Sequence, residues 1–146
     1  MVLMLSRFQR LFSECGRLWV DIERNSARVG IIRERVIGLP WNNSFVAIRI
    51  PRDTLAKQHL KQGEYVCYFE YDAHAYEFRS PVSGRNLTFN PEVVTQERIS
   101  SEAMSSSKMG WIYKLDFDDI DEVSKLRKSI VDPIVNQCRT KYLWKF

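Results

Sequence analysis

A succession of short β-type runs constrains the fold of this chain more than any other feature. Seven such runs lie between residues 18 and 115, and frequent turn signals separate them. Many short strands at this spacing indicate a β-sandwich or barrel. Asn25 and Ser26 suit a hairpin turn between the first two runs, and Gly84 follows Pro81 at another turn. The predicted strands are residues 18–23, 27–32, 44–50, 65–71, 76–79, 86–89 and 111–115.

Two segments between the runs are expected to differ from strands. In the insert 51–63, Asp53 can cap a short helix of residues 53–60 that Gly63 helps to end. Residues 96–109 are rich in serine and lack regular apolar periodicity. That composition predicts a mobile surface loop.

The carboxyl end of the chain has a helical pattern. Asp118 or Asp119 can serve as an N-cap, and the basic residues of the last turn suit the helix dipole. A second helix is expected to start at Asp132-Pro133, because proline suits the first helical position. The stripe of the first helix that is predicted to face the core consists of Ile120, Val123, Leu126 and Ile130.

Size, cysteine content and charge exclude several classes of protein. A chain of 146 residues with 45% apolar and 27% charged residues suits one soluble globular domain. Its three cysteines are widely spaced and form no CxxC, so neither a disulfide framework nor a metal site is expected. No run approaches the roughly 20 apolar residues that a membrane span needs. The net charge of +4 favours acidic partners and gives only weak support for nucleic-acid binding.

The amino-terminal segment has two interpretations. Residues 1–13 contain Arg7 and Arg10, two serines and no acid, which resembles a mitochondrial targeting segment. The alternative is an amphipathic helix that docks on the body or on a partner. Residues 1–16 are therefore separated from the expected domain of residues 17–146. The side chains that cluster on one helical face are Leu3, Leu5, Phe8, Leu11 and Phe12.

Five motifs in order resemble the H protein family of the glycine cleavage system over about residues 17–128. The most specific is the SPVSG sequence of residues 80–84. Trp19 in an LWV strand entry, a VGI sequence around Gly30, and Asn90 accompany it at matching spacing. The GWIYKL sequence of residues 110–115 completes the set.

This resemblance implies a fold and a kind of chemistry. The fold is a flattened sandwich of the lipoyl/biotinyl type, also called the single hybrid motif, with a small helix after Gly30 and helices at the carboxyl end. In the family, a lysine at the tip of a β-hairpin is amide-linked to lipoate. The arm carries an aminomethyl group between partner enzymes, and the protein has no active site of its own.

The position of the lipoyl lysine is occupied here by Ala73. In the family the lysine lies three residues after a glutamate and seven before the serine of SPVSG. Counting forward from Glu70 and back from Ser80 both lead to Ala73. A methyl side chain has no amine to acylate, and the nearest lysines, Lys61 and Lys108, lie outside the hairpin. No cofactor, catalytic residue or metal site is therefore expected.

Six residues are candidates for contacts with a partner. His74 beside the alanine is more often a solvated surface residue than a base, because a base needs an orienting partner and a cleft. An aromatic cluster at the chain end, next to cations, is typical of docking segments. The candidates are Glu70, Asp72 and His74 near the hairpin tip and Tyr142, Trp144 and Phe146 at the chain end.

Three functions remain open for a protein expected in the mitochondrial matrix without enzymatic activity. The first is an unlipoylated adaptor or structural subunit of a protein assembly, because the fold is kept and the acceptor lysine is not. The second is a regulator, pseudo-carrier or carrier connected with glycine cleavage. The third is a subunit of a mitochondrial ribonucleoprotein, in which basic residues would contact RNA phosphates.

Overall fold

The structure, a computed structural model, describes residues 8–14, 17–33, 45–71 and 74–129. These residues are mostly β, with ten strands and three short helices. The strands are β1 Gln9–Phe12, β2 Leu18–Glu23, β3 Ser26–Ile31, β4 Phe45–Arg49, β5 His59–Leu60, β6 Tyr65–Tyr71, β7 His74–Arg79, β8 Gly84–Phe89, β9 Arg98–Ser100 and β10 Trp111–Phe117. The helices are α1 Arg52–Leu55, α2 Pro91–Gln96 and α3 Ile120–Ser124.

Two antiparallel sheets enclose one hydrophobic core. The larger has the order β1-β2-β3-β10-β8-β5, and the smaller has the order β7-β6-β4-β9. Buried side chains from both sheets form a single cluster, which is what makes the two sheets a sandwich. Its members include Val20, Val29, Ile31, Ile48, Phe69, Phe78 and Leu115.

Strands β2 and β3 illustrate how the sequence determines a face. Val20 lies opposite Val29 in the register, and both side chains are fully buried. The next pair, Asp21 and Arg28, points to the other face of the sheet, because successive side chains of a strand alternate. A shift of one residue would move the valines out of the core between the sheets and bring Asp21 into it, so the apolar alternation fixes this register.

All seven predicted strands are present, with ends that differ by at most two residues. The predicted turn is displaced by one residue: Arg24 and Asn25 form it, and Ser26 already begins β3. Arg24 adopts a left-handed backbone with φ of 61°. Strands β1, β5 and β9 were not predicted, because runs of two to four residues are too short to establish a period.

The insert after β4 is less helical than expected. Helix α1 has one turn and ends at Leu55. Its N-cap is Pro51 and it has no side-chain cap, so the prediction that Asp53 caps the helix is wrong. His59 and Leu60 form β5, which pairs with β8 and buries Leu60 completely. Pairing with the sheet therefore prevails over the local helical tendency.

The amino-terminal helix prediction is wrong for residues 9–12, which form β1. This strand pairs with β2 over its whole length, from Gln9 opposite Ile22 to Phe12 opposite Trp19. Leu11 is buried in the core as an inward-facing residue of a strand, and it does not lie on the face of a helix. Residues 1–7 lie outside the described residues, and the targeting role stays a prediction.

The prediction of a mobile surface loop over residues 96–109 is wrong in part. Arg98–Ser100 is strand β9, which pairs with β4, and Ser101 and Met104 are fully buried. Helix α2, which precedes it, was not predicted. Asn90 caps this helix by accepting from the backbone N–H of Glu92 at 3.1 Å. The available signal was the Asn90-Pro91 pair, which is typical of an N-cap followed by proline.

The carboxyl-terminal helix begins where expected and ends early. Asp119 is the N-cap of α3 and accepts from the N–H of Asp121 at 3.0 Å, as predicted. Val123 and Leu126 are buried as expected, but Ile120 is 64% exposed, so its place in the core-facing stripe is wrong. The helix ends at Ser124, before the predicted basic turn. Ile130, the second helix, and the helix expected after Gly30 lie outside the described residues.

Candidate functional site

The β6–β7 hairpin contains position 73, which the sequence resemblance aligns with the lipoyl lysine of the H protein family. Its two strands pair continuously from Glu70 opposite Ala75 to the closing pair, Tyr71 opposite His74. The chain between the closing residues consists of Asp72 and Ala73, which lie outside the described residues. Two residues therefore connect the paired strands of the hairpin.

Charged side chains lie on the solvent face of the sheet below this connection. Glu70 lies opposite Ala47 of β4, and its carboxylate is 3.5 Å from the Nε atom of Arg49. Arg49 also lies 3.7 Å from the carboxylate of Glu97. All three side chains are more than a third exposed. A surface ion network of this kind contributes little to stability, so it is free to serve recognition.

An exposed aromatic ring continues the same face. Phe45 at the start of β4 is 49% exposed, and the guanidinium of Arg98 from β9 lies 4.2 Å from its ring centroid. Stacked pairs of arginine and an aromatic ring are frequent at protein interfaces. The solvent face of the smaller sheet thus carries both charges and an aromatic surface.

The structure places only some of the six candidate contact residues. Glu70 lies in β6, on the face just described. His74 is the first residue of β7, and only its backbone is described. Asp72, Tyr142, Trp144 and Phe146 lie outside the described residues. The grouping of the hairpin residues with the terminal aromatic residues stays a prediction.

The other end of the hairpin leads into the SPVSG sequence, which forms a buried polar junction. The Tyr113 hydroxyl donates to Ser80 Oγ at 2.8 Å, and this oxygen donates to the Val82 carbonyl at 2.6 Å. The Ser80 side chain is 2% exposed. Each buried hydroxyl therefore has a partner, which avoids the cost of an unsatisfied polar group.

A second set of hydrogen bonds ties helix α3 to the same sequence. The Ser83 N–H donates to one carboxylate oxygen of Glu122 at 2.6 Å, and its hydroxyl donates to the other at 2.8 Å. The N–H of Gln62 donates to Ser83 Oγ at 2.8 Å. Hydrogen bonds to a charged group are stronger than neutral ones. The junction thus joins the hairpin, the insert and the carboxyl-terminal helix.

The serine-rich segment that follows β9 is held against the outside of the larger sheet. Trp19 Nε1 donates to the Met104 carbonyl at 2.8 Å, and Arg10 Nη1 donates to the Ser105 carbonyl at 2.9 Å. Arg28 Nη1 donates to the Ser107 carbonyl at 3.2 Å. Sequence reasoning missed these donors because no local pattern indicates which carbonyl a distant side chain will contact.

Close packing explains the glycine of the VGI sequence. A Cβ atom at Gly30 would lie 2.2 Å from the Trp19 ring. The Trp19 ring therefore packs directly against the backbone of β3, and Met104 of the serine-rich segment accepts its N–H. The glycine of the VGI sequence is therefore required for packing.

The buried titratable groups are unsuited to nucleophilic chemistry. Burial raises the pKa of the Cys67 thiol, which favours the unreactive neutral form. Burial also raises the pKa of Tyr113, despite its hydrogen bond with Ser80, and raises the pKa of Tyr65 to about 12. On the surface, His59 Nε2 lies 3.3 Å from Asp118, and both side chains are partly exposed. Among the described residues, no three potential ligands cluster as a metal site would require.

Taken together, the sandwich and its two-residue hairpin define a lipoyl-domain-like β fold. Consistent with this class, the chain is similar to a crystal structure of a glycine cleavage system H protein from Mycobacterium marinum, with a TM-score of 0.56. The similarity covers 88% of this chain and 95% of that chain at 18% sequence identity. The predicted fold class is thus confirmed.

No protein-family model matches the sequence, and no curated protein matches it. Within the part of the chain that the structure describes, no helix is long and apolar enough to span a membrane.

Proposed function

We propose that this protein is an unlipoylated, non-catalytic relative of the H protein that acts as an adaptor or structural subunit of a protein assembly. The observation that carries the proposal is the pairing of a retained hairpin with an alanine at its connection. Strand β6 ends at Tyr71 and β7 begins at His74, so position 73 falls between them. An alanine there has no amine to which lipoate could be attached.

The buried polar network at the base of the hairpin supports a role for the surface of the fold. The junction at SPVSG buries several polar groups and satisfies them with hydrogen bonds. Such a network is stabilising only when every member is present. A scaffold kept at this level of detail, without an acceptor lysine, is best explained by contacts that the scaffold makes.

The contact surface that we propose is the solvent face below the hairpin connection. It contains the ion network of Glu70, Arg49 and Glu97 and the stacked pair of Phe45 and Arg98. Arginine and aromatic side chains dominate binding energy at many protein interfaces. The cellular site that we propose is the mitochondrial matrix, on the strength of the basic, acid-free start of the sequence.

Intact-mass spectrometry after incubation with a lipoate ligase, ATP and lipoate tests the missing acceptor. The wild-type mass should not change, whereas the variant Ala73→Lys should gain one lipoyl group, because the hairpin would then present an amine. A lipoyl adduct on the wild-type chain would refute the proposal. An unmodified Ala73→Lys variant would show that position 73 is not the equivalent of the attachment site.

The adaptor role needs a separate experiment. The protein purified from its native source should carry no lipoyl group and should keep a stoichiometric protein partner through size-exclusion chromatography. The variant Arg98→Glu should lose that partner, whereas Arg85→Glu, on the exposed part of β8 in the larger sheet, should keep it. Retention by both variants would contradict the proposed surface.

A second candidate is a regulator of glycine cleavage, which the fold similarity to an H protein favours. It predicts direct binding of the unmodified chain to enzymes of that system. Isothermal titration of the purified proteins distinguishes the two candidates, since an unrelated adaptor should give no heat of binding.

A further inference from the structure

The sheet edges of this sandwich are protected unequally. The backbone of β1 forms two hydrogen bonds with Arg127: Phe12 N donates to Arg127 O at 2.8 Å, and Arg127 N donates to Phe12 O at 2.9 Å. Strands β5 and β9, at two other edges, have only two and three residues. Edge strands are normally covered or kept short, because free backbone groups attract another strand.

Strand β7 is long, and no described residue covers its outer edge with backbone hydrogen bonds. It has six residues, and among the described residues only β6 pairs with it. In a hairpin with a two-residue connection, the closing pair is hydrogen-bonded and the pairs alternate from there. Ala75 and Glu77 therefore direct their N–H and C=O groups away from β6.

The same alternation holds at the base of the hairpin. Ser80 N donates to Glu64 O at 2.9 Å, and Ser80 O accepts from Gly63 N at 2.7 Å. Ser80 thus faces the β6 side, and its neighbour Arg79 faces outward. Of the three outward positions, Ala75 is buried at 8% exposure, whereas Glu77 and Arg79 are partly or fully exposed and have no backbone partner on this side among the described residues.

Open space lies beside the second half of this edge. A groove of about 650 Å³ is bordered by Glu77 and Arg79 on one side and by Leu18 and Leu126 on the other. Another strand could approach β7 there at the usual spacing of roughly 4.8 Å. Within the described residues, the part of the edge formed by Glu77 and Arg79 is thus unpaired and accessible.

The charges on β7 select the strand that fits it. Glu77 and Arg79 lie on the same face, with Arg79 Nε 3.0 Å from the Glu77 carboxylate, and both remain partly exposed. If a second β7 pairs antiparallel around Phe78, Glu77 lies opposite Arg79 of the partner subunit, and Arg79 lies opposite Glu77 of the partner subunit. A register centred on Glu77 would place two carboxylates together, which is unfavourable.

We propose that β7 is a self-association edge, at which two copies of this chain join their smaller sheets around Phe78. The interface would be isologous, with reciprocal Glu77–Arg79 contacts and hydrogen bonds from the outward backbone groups of Glu77 and Arg79. This proposal goes beyond the adaptor function and does not depend on it.

Sedimentation equilibrium of the full chain over a range of concentrations tests the proposal. The wild-type chain should show a monomer–dimer equilibrium. The variants Glu77→Arg and Arg79→Glu should each dimerise at least about tenfold more weakly, since each replaces two attractive pairs with two repulsive ones. Arg85→Glu makes the same kind of charge change on an exposed part of the other sheet and should dimerise like the wild type.

The reciprocal geometry permits a rescue experiment. An equimolar mixture of the two single variants should form heterodimers, because every arginine then faces a glutamate. The double variant E77R/R79E should regain self-association for the same reason. A wild-type chain that is monomeric at every concentration, single variants that dimerise normally, or a mixture that stays monomeric would each overturn the proposal.

Discussion

The two ends of the β6–β7 hairpin differ in what they contribute to the molecule. At the base, Ser80 and Ser83 are held by hydrogen bonds to Tyr113 and Glu122. Near the connection, Glu70 makes one long contact with Arg49, and both side chains are exposed. The base therefore stabilises the fold, whereas the connection is where the family places its chemistry.

This difference teaches how to weigh a motif. SPVSG is the most recognisable part of the resemblance, and its residues serve packing and hydrogen bonding. A chain can keep that motif for its fold whatever residue occupies the hairpin connection. Motif identity at the base is therefore evidence of architecture, and function must be argued from the connection and the surface near it.

The largest expected effect comes from Gly84→Ala at the base. The added Cβ would lie 2.4 Å from the Asp116 carbonyl oxygen and 2.6 Å from Leu115 Cδ1. Because Asp116 contributes backbone that cannot rotate away, we expect a loss of about 2–3 kcal/mol in the free energy of unfolding. Denaturant titration measures it.

Gly63→Ala is the matched control for that substitution. A Cβ added at Gly63 would have no neighbouring atom within 4 Å, but the φ of this residue is +85°. The cost should be about 1 kcal/mol from the left-handed backbone alone. Equal losses for the two variants would contradict a steric role for Gly84.

The next effect concerns the link between helix α3 and the base. Glu122→Ala removes both acceptors of Ser83 and leaves its N–H without a protein partner, which should cost about 1–2 kcal/mol. Asp121→Ala removes a neighbouring carboxylate that lies on the exposed side of the helix, and should cost less. Thermal unfolding of both variants checks the order, and a reversed order would show that Ser83 does not anchor the helix.

A smaller expected effect is a loss of stability at acidic pH that depends on Glu64, at the base of the hairpin. The hydrogen bond from Lys57, followed by that from the Lys61 N–H, lowers the pKa of Glu64 below 4.5. A lowered folded-state pKa stabilises the fold above pH 4.5 and ceases to do so as the pH falls through the folded value. The free energy of unfolding should therefore fall more steeply below pH 4.5 in the wild type than in Glu64→Gln. If the free energy of unfolding fell equally with pH in both proteins, Glu64 would not contribute to the acid dependence.

The sequence was sufficient to predict the strands in which apolar and polar residues alternate. Val20 and Val29 alternate with polar residues, so their strands and faces could be predicted. Sequence reasoning missed β1 and β5, whose few residues become strands only because a neighbour offers backbone partners. Leu11 fits a helical stripe and a strand face equally well, and only the pairing with β2 decides between them.

Even less of the candidate site than of the fold could be predicted from the sequence. Counting along the chain located Ala73 relative to Glu70 and Ser80, because that argument needs only spacing. The stacking of Phe45 with Arg98 and the contact of Arg49 with Glu97 could not be predicted, since they join residues that are far apart in sequence. Long-range contacts of side chains follow from the topology, which the local pattern does not contain.

The smallest expected effect on stability comes from Glu70→Ala, and it separates fold from function at the connection end. The carboxylate is 38% exposed and its contact with Arg49 is 3.5 Å long, so its loss should change the free energy of unfolding by less than about 0.5 kcal/mol. Binding of the proposed partner should nevertheless weaken, because Glu70 lies on the proposed contact surface. Glu92→Ala, which changes an exposed residue of helix α2, is the control for both readouts. If Glu70→Ala lowered stability as much as Glu122→Ala, the two ends of the hairpin would share one structural role, and the adaptor surface would lose its main support.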